Sequence, residues 1–262
     1  MTPLDPNARL PIADAPLSVV LFGRALATDA SESLHAWKSH LDARKRTYEI
    51  LLIQESRPEV AAEPTDPSLR SFTYSHTEGF RIAVNEAIRS AQHPLLVLCP
   101  CDRQYEPADL AKFLNAIDKV DLVVGFRLGG QAPPWRVLLD LAWNIAGRII
   151  VGLPMSSRQT WLGSAGWFRR WVARWIFGVR VTDPECPFLL ARREAFKRIP
   201  IQSGGPFLAT EILAKANHLT CLLAEVGVTW NPPSHPMGDA ISFAADAQQI
   251  FHAPDFGPYP IN

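Results

Sequence analysis

LLVLCPCDRQ, residues 95–104, is an apolar run that stops at Pro100 and passes straight into Asp102, Arg103 and Gln104. A polar helix start follows near Pro107, and then a second apolar run, VDLVVGFR, residues 120–127, which ends in Arg127. A buried strand that delivers an acid at its carboxyl end, beside another that delivers an arginine, is how open α/β sheets place ligand-handling groups at a crevice. The pattern implies a site for a diphosphate-bearing ligand, with sugar nucleotides among the candidates.

Working outward from this stretch, SVVLF (residues 18–22) reads as another buried strand. Residues 31–46 read as a helix, with Leu34, Trp37 and Leu41 at helical spacing. EILLI (49–53) is a further strand, 71–74 a short one, and 79–91 a helix. Strands that are apolar throughout and alternate with helices imply parallel pairing with both sheet faces covered. No G-x-G-x-x-G and no G-x-x-x-x-G-K-[ST] occurs in this half, so a phosphate would have to be held by other means.

The 262 residues, 47% hydrophobic and 20% charged, suit one domain with a substantial core. Their formal net charge of zero disfavours a nucleic-acid partner recognised by bulk charge. The four cysteines match no zinc-site spacing, so reduced, mostly buried thiols and a cytosolic setting are expected. The proline-rich opening residues carry no apolar signal core. Residues 137–153 are apolar, but Asp140, Asn144 and Arg148 recur every four residues and make a polar stripe, so this segment is expected on a surface rather than across a bilayer.

The second half adds a tryptophan-rich segment, 161–179. Read as a helix, it gathers Trp167, Trp171 and Trp175 on one side and Arg169, Arg170 and Arg174 on the other, which suits the headgroup boundary of a lipid surface. Docking on the protein's own core or on a dimer partner is the alternative. After VTDPECPFLLARREAF (181–196) come a helix around 210–216 and a last strand within 221–230.

Several of these segments, taken in order, resemble glycosyltransferase family 2, of GT-A fold, and within it the dolichol-phosphate mannose synthase and polyprenyl-phosphate glycosyltransferase group. YEILLIQES looks like that family's strand ending in two aspartates, with Gln54 and Glu55 in their places. GFRIAVNEAI matches its helix through Gly79, Ala83 and Asn85. Its metal segment, aspartate-x-aspartate-x-glutamine, corresponds to Pro100, Asp102 and Gln104, so the first acid is absent. VVGFR matches the strand that ends in arginine, and the segment from 181 matches through Asp183, Phe188 and Arg192. FLATEILAKA and LAEVGVTW match with Glu211 and Glu225. FGRAL (22–26) departs from the family's acidic opening after the first strand.

The resemblance implies an α/β protein of GT-A fold, a mainly parallel central sheet flanked by helices. A flexible lead-in would cover 1–16, the transferase-like domain 17–240 with amphipathic interfacial helices over 134–180, and an irregular tail 241–262. It implies a hexosyl transfer from a nucleotide sugar to a polyprenyl phosphate or similar acceptor, at the inner face of a membrane reached through Trp167, Trp171 and Trp175. Asp102 and Gln104 would hold Mg²⁺ or Mn²⁺, which leans on substrate phosphates. Arg127, with Arg81 beside it, would face the diphosphate, and Gln54 and Glu55 would line the nucleotide pocket. Arg192 and His235 would meet the acceptor. A lipid phosphate is already ionised and needs no strong base, whereas a hydroxyl acceptor would require Asp183 or Glu211.

Bland readings stand beside these. Asp102 would cap a turn, Arg81 would be a surface arginine, Asp183 would hold its loop, and Glu211 would pair with Lys215 at i,i+4. The three changed donor-side motifs also suit a catalytically inactive relative that binds or scaffolds.

Overall fold

The computed structural model describes residues 12–23, 27–55, 66–75, 77–128, 181–231, 246–248, 250 and 252–255. In chain order these form β1 (Leu17–Phe22), α1 (Ala27–Ala43), β2 (Tyr48–Glu55), β3 (Leu69–Tyr74), α2 (Thr77–Ser90) and β4 (Leu95–Pro100). A single 3₁₀ turn then leads into α3 (Leu110–Ile117), followed by β5 (Leu122–Leu128), β6 (Leu189–Arg192), α4 (Arg193–Phe196), α5 (Leu208–His218) and β7 (Leu223–Thr229).

Among the described residues seven strands make one sheet in the order β3-β2-β1-β4-β6-β5-β7. Of these only β6 runs against the others, paired antiparallel to both β4 and β5. The carboxyl ends of the other six therefore lie along one edge, and the strand order reverses between β1 and β4, where open α/β sheets bind ligands.

Alternation along β1 and β4 explains why both strands are buried from end to end. Val20, Phe22, Leu96 and Leu98 pack with α2 and α5 on one face, through Val84, Ile88, Ile212 and Leu213. Leu17, Val19, Leu21, Leu95 and Val97 pack with α1 and α3 on the other, through Trp37, Leu41, Phe113 and Ile117. A large apolar area on each face is what holds a doubly covered sheet together. All four cysteines are free thiols, and Cys99, Cys101 and Cys186 are buried.

The structure departs from the sequence reading in three places. α1 opens four residues before the expected start. The strand β6 emerges within 181–196, where the sequence reading has none. The lead-in is fastened from Ile12 onward: Asp118 Oδ1 accepts the N–H groups of Ile12 (2.6 Å) and Ala13 (2.9 Å), and Arg46 donates to the Ala15 carbonyl. The segments 134–180 and 232–245, and with them the tryptophan pattern and His235, fall outside the described residues.

Those two N–H groups hold the Asp118 carboxyl below its ordinary value of 3.8. A carboxyl lowered by folding contributes stability above its unfolded value and loses it as pH falls through the folded one. Hydrogen-exchange protection of the Ile12 and Ala13 amides should hold from neutrality down to that range and disappear below it, and Asp118→Ala should lack it at every pH.

Candidate active site at the carboxyl edge of the sheet

The candidate site begins where β1 and β4 end together. Beyond their last paired residues, Cys101 N–H donates to the Phe22 carbonyl at 2.8 Å, so both chains turn off the sheet at one level. Gly23 makes its turn at φ +144°, a region that side chains other than hydrogen disfavour. Arg103 turns with φ +61°, a left-handed conformation uncommon outside glycine, and its exposed guanidinium pairs with Glu32 on α1.

Between these turns stands Asp102, partly exposed. Its Oδ2 accepts Gln104 Nε2–H at 2.5 Å, and its Oδ1 lies 3.4 Å from Gln104 N. Gln104 Oε1 in turn accepts the indole N–H of Trp230 at 3.3 Å, and the Gln104 carbonyl accepts Asn231 N–H at 2.9 Å. The loop after β4 is thus stitched to the residues that follow β7, and an isolated bridge joins Tyr105 to Trp230.

The face of Trp230 meets the guanidinium of Arg127, 5.5 Å from the ring centroid. Arg127, from β5, makes a forked pair with Asp183: Nε to Oδ2 at 2.6 Å and Nη2 to Oδ1 at 2.7 Å. The two side chains are 16% and 5% exposed. Burial works against the charge of Arg127, and the Asp183 carboxylate outweighs it by charge and hydrogen bond, so the guanidinium holds its proton more firmly than usual. Beneath the pair, burial pushes the Cys186 thiol up to about 12 and the Tyr105 phenol upward as well, which keeps both neutral.

Packing here leaves little room. A methyl group on Gly125 of β5 would stand 3.0 Å from Cys186 Sγ and 3.1 Å from the Phe188 carbonyl, so the chain carrying Asp183 lies directly against the strand carrying Arg127.

Gln54 and Glu55 close β2 beyond the end of β1, opposite Thr73 and Tyr74, along this same edge and partly exposed. Arg81 lies near the start of α2, also partly exposed. Asn85 on that helix exchanges hydrogen bonds with Ile201, at 2.7 and 3.1 Å, and so ties α2 to the loop before α5.

Two predicted residues are placed differently. Glu211 is 1% exposed and closed in by Lys215 Nζ at 2.6 Å, Gln202 N–H at 2.8 Å and Ser203 N–H at 2.7 Å. Burial pushes its carboxyl up, against the opposing pull of Lys215 and the two amides. It braces the 200–203 loop, as the i,i+4 alternative anticipates.

Arg192 ends β6 opposite Leu95, the first residue of β4, and therefore lies at the far edge of the sheet. Its guanidinium donates to the carbonyls of Val120, Ile117 and Asp118, closing the end of α3. Its placement supports that structural task and not contact with an acceptor. Arg192→Ala should cost about 2 kcal/mol in denaturant unfolding, as expected for hydrogen bonds from a charged group.

Trp230 and Tyr105 carry no signal that the sequence reading used, although the motif LAEVGVTW ends on that tryptophan. Among the described residues no group of three or more His, Cys, Asp or Glu side chains is placed to hold a metal. Among the same residues no helix is long and apolar enough to cross a membrane.

No protein-family model matches the sequence, and no curated protein matches it. Solved structures do match. Glucosyl-3-phosphoglycerate synthase from Mycobacterium tuberculosis in complex with phosphoglyceric acid superposes with a TM-score of 0.58 at 14% identity, over 97% of this chain and 87% of that one. The same enzyme with Mn²⁺, uridine-diphosphate-glucose and phosphoglyceric acid gives 0.57 at 15% identity, over 96% and 83%. A mycobacterial protein gives 0.56 at 16%, over 97% and 82%. The chain has the GT-A fold.

Proposed function

We propose that this protein is a glycosyltransferase that moves a hexosyl group from a nucleotide sugar to a phosphate-bearing acceptor. The observation that carries the reading is the unbroken run of contacts from Asp102 through Gln104 and Trp230 to Arg127 and Asp183, at the strand-order reversal of a GT-A sheet. Neighbouring folds whose structures hold uridine-diphosphate-glucose and Mn²⁺ support a uridine-diphosphate donor.

The residues fit a divalent cation that arrives with its nucleotide. Asp102 supplies one carboxylate, and Mg²⁺ or Mn²⁺ in such sites completes its shell with phosphate oxygens and water. Bound there, the cation supplies Lewis-acid stabilisation of the diphosphate leaving group. Arg127 adds positive charge along the same edge while staying clamped by Asp183, and Gln54 and Glu55 line the nucleotide side.

The candidate bases favour an acceptor that needs none. Asp183 is committed to Arg127, and Glu211 is enclosed by three donors. An ionised phosphate oxygen attacks the anomeric carbon unaided, the bond from that carbon to the β-phosphate oxygen breaks, and the nucleoside diphosphate departs. A polyprenyl phosphate at the inner face of a membrane, approached through the tryptophans at 167, 171 and 175, meets that requirement. A small phosphorylated hydroxyacid, the acceptor class of the neighbouring synthase, would have to lose a hydroxyl proton.

A second reading rests on the single carboxylate where the resembled family has two acids: a relative that binds nucleotide or scaffolds without turnover. Full-length protein incubated with Mn²⁺ and radiolabelled nucleotide sugars, against vesicles carrying polyprenyl phosphate and, separately, phosphoglycerate, decides among them. Label in the lipid phase supports the favoured acceptor, and label on phosphoglycerate supports the hydroxyacid. Binding of Mn²⁺ and uridine diphosphate by calorimetry with no transfer points to the scaffold. No binding and no transfer overturns the transferase reading.

A further inference from the structure

Trp230 touches both halves of the site yet offers no group that could ligate a cation or attack a sugar. An indole nitrogen is a donor only. Its N–H, 3.3 Å from the Gln104 carboxamide, must therefore face the amide oxygen, which turns the amide nitrogen toward Asp102. The order of donors along the chain is then determined from Trp230 outward: indole N–H to Gln104 Oε1, Gln104 Nε2–H to Asp102 Oδ2. Oδ2 of Asp102 is held by this bond while Oδ1 meets the Gln104 main-chain N–H at 3.4 Å, and the two contacts together set the carboxylate plane.

The same indole presents its face to Arg127, whose fork is already locked by Asp183. Backbone bonds hold the indole on the site: Asn231 N–H reaches the Gln104 carbonyl at 2.9 Å, and Tyr105 bridges to Trp230. A tryptophan that merely filled space would need neither the bond to Gln104 nor the stacking on Arg127.

We propose that Trp230 is a positioning residue that orients the Asp102 carboxylate through Gln104 while its face backs Arg127, joining the cation-holding and diphosphate-facing groups into one unit. Gln104 on this account acts on the cation through Asp102, by fixing the orientation of its carboxylate through the contacts to Oδ2 and Oδ1. Hydrogen-bonded supports of metal-holding groups typically govern metal affinity about 10- to 100-fold. The proposal rests on the transferase reading for the identity of the cation site, and its test is read in binding rather than turnover.

Mn²⁺ uptake in the presence of uridine diphosphate is followed by the loss of the free-ion electron paramagnetic resonance signal, using full-length protein. Trp230→Phe keeps an aromatic face over Arg127 and removes only the N–H. It should weaken Mn²⁺ binding about 10-fold, with the thermal unfolding midpoint unmoved. Gln104→Leu, which breaks the same bond from its other end, should weaken it by at least as much, and the two changes together should cost no more than Gln104→Leu alone. Trp230→Ala should in addition weaken uridine diphosphate binding measured without metal. Wild-type affinity in Trp230→Phe, or additive losses in the double variant, would overturn the positioning role alone. A wild-type protein that takes up no Mn²⁺ with uridine diphosphate would overturn this role, and the transferase reading falls with it only when sugar transfer is absent too.

Discussion

Asp102→Asn is expected to lower sugar transfer about 100-fold or more while leaving the unfolding midpoint close to that of wild type. The carboxylate is the acid delivered directly past the end of β4, where the resembled family has two, with Pro100 in place of the other. Asparagine keeps the size and can still accept from Gln104, so the local fold has no reason to change. What disappears is the negative charge that would hold a cation against the leaving diphosphate, a contribution of several kcal/mol, each ~1.4 of which is about tenfold in rate. Steady-state rates at saturating Mn²⁺, set beside thermal unfolding, check both halves of this expectation. Equal transfer by wild type and variant would remove Asp102 from the chemistry.

The second large effect is on stability. Removing one partner of a buried, forked ion pair strands the other charge, at a cost of about 3–5 kcal/mol. Arg127→Met takes from Asp183, at 5% exposure, both hydrogen bonds of the fork, and Asp183→Leu takes the same two from Arg127, at 16%. For a protein of this size either change should lower the thermal midpoint by roughly 10 °C. Arg127→Met combined with Asp183→Leu should recover much of that loss, because apolar pairs of similar volume often replace buried ion pairs without net cost. Scanning calorimetry of the three variants measures it. Losses in the double variant equal to the sum of the single ones would show that the pair is not coupled.

The two halves of the sheet differ in how far the sequence revealed them. β1, β2 and β4 are apolar runs bounded by polar residues, and a strand buried on both faces announces itself this way. β6 does not. It is four residues long, ends in Arg192 and follows a loop of mixed character, so no periodicity marks it, and its reversed direction is a property of the sheet rather than of the segment. That reversal is why a motif match assigns Arg192 to the acceptor when it belongs to the far edge.

Local spacing serves well where the interaction is local. Glu211 and Lys215, one helical turn apart, do form their pair. Arg127 and Asp183 are 56 residues apart and meet only because β6 draws the chain back beside β5. The sequence singles out both as candidates, and neither is legible as the other's partner. Trp230 closes a motif matched for its glutamate, and its two contacts reach across separate strands and loops.

The inserted strand has a further consequence for biosynthesis. During vectorial synthesis the half-sheet β3-β2-β1-β4 can assemble as soon as β4 clears the ribosome, whereas β4 and β5 acquire their shared neighbour only after residue 192 emerges. At ~5–20 residues per second, that interval is roughly 3–13 s after β5 has emerged. Throughout it the nascent chain carries unpaired main-chain groups on the open flank of β4, the kind of template that chaperones shield and that neighbouring polypeptides capture.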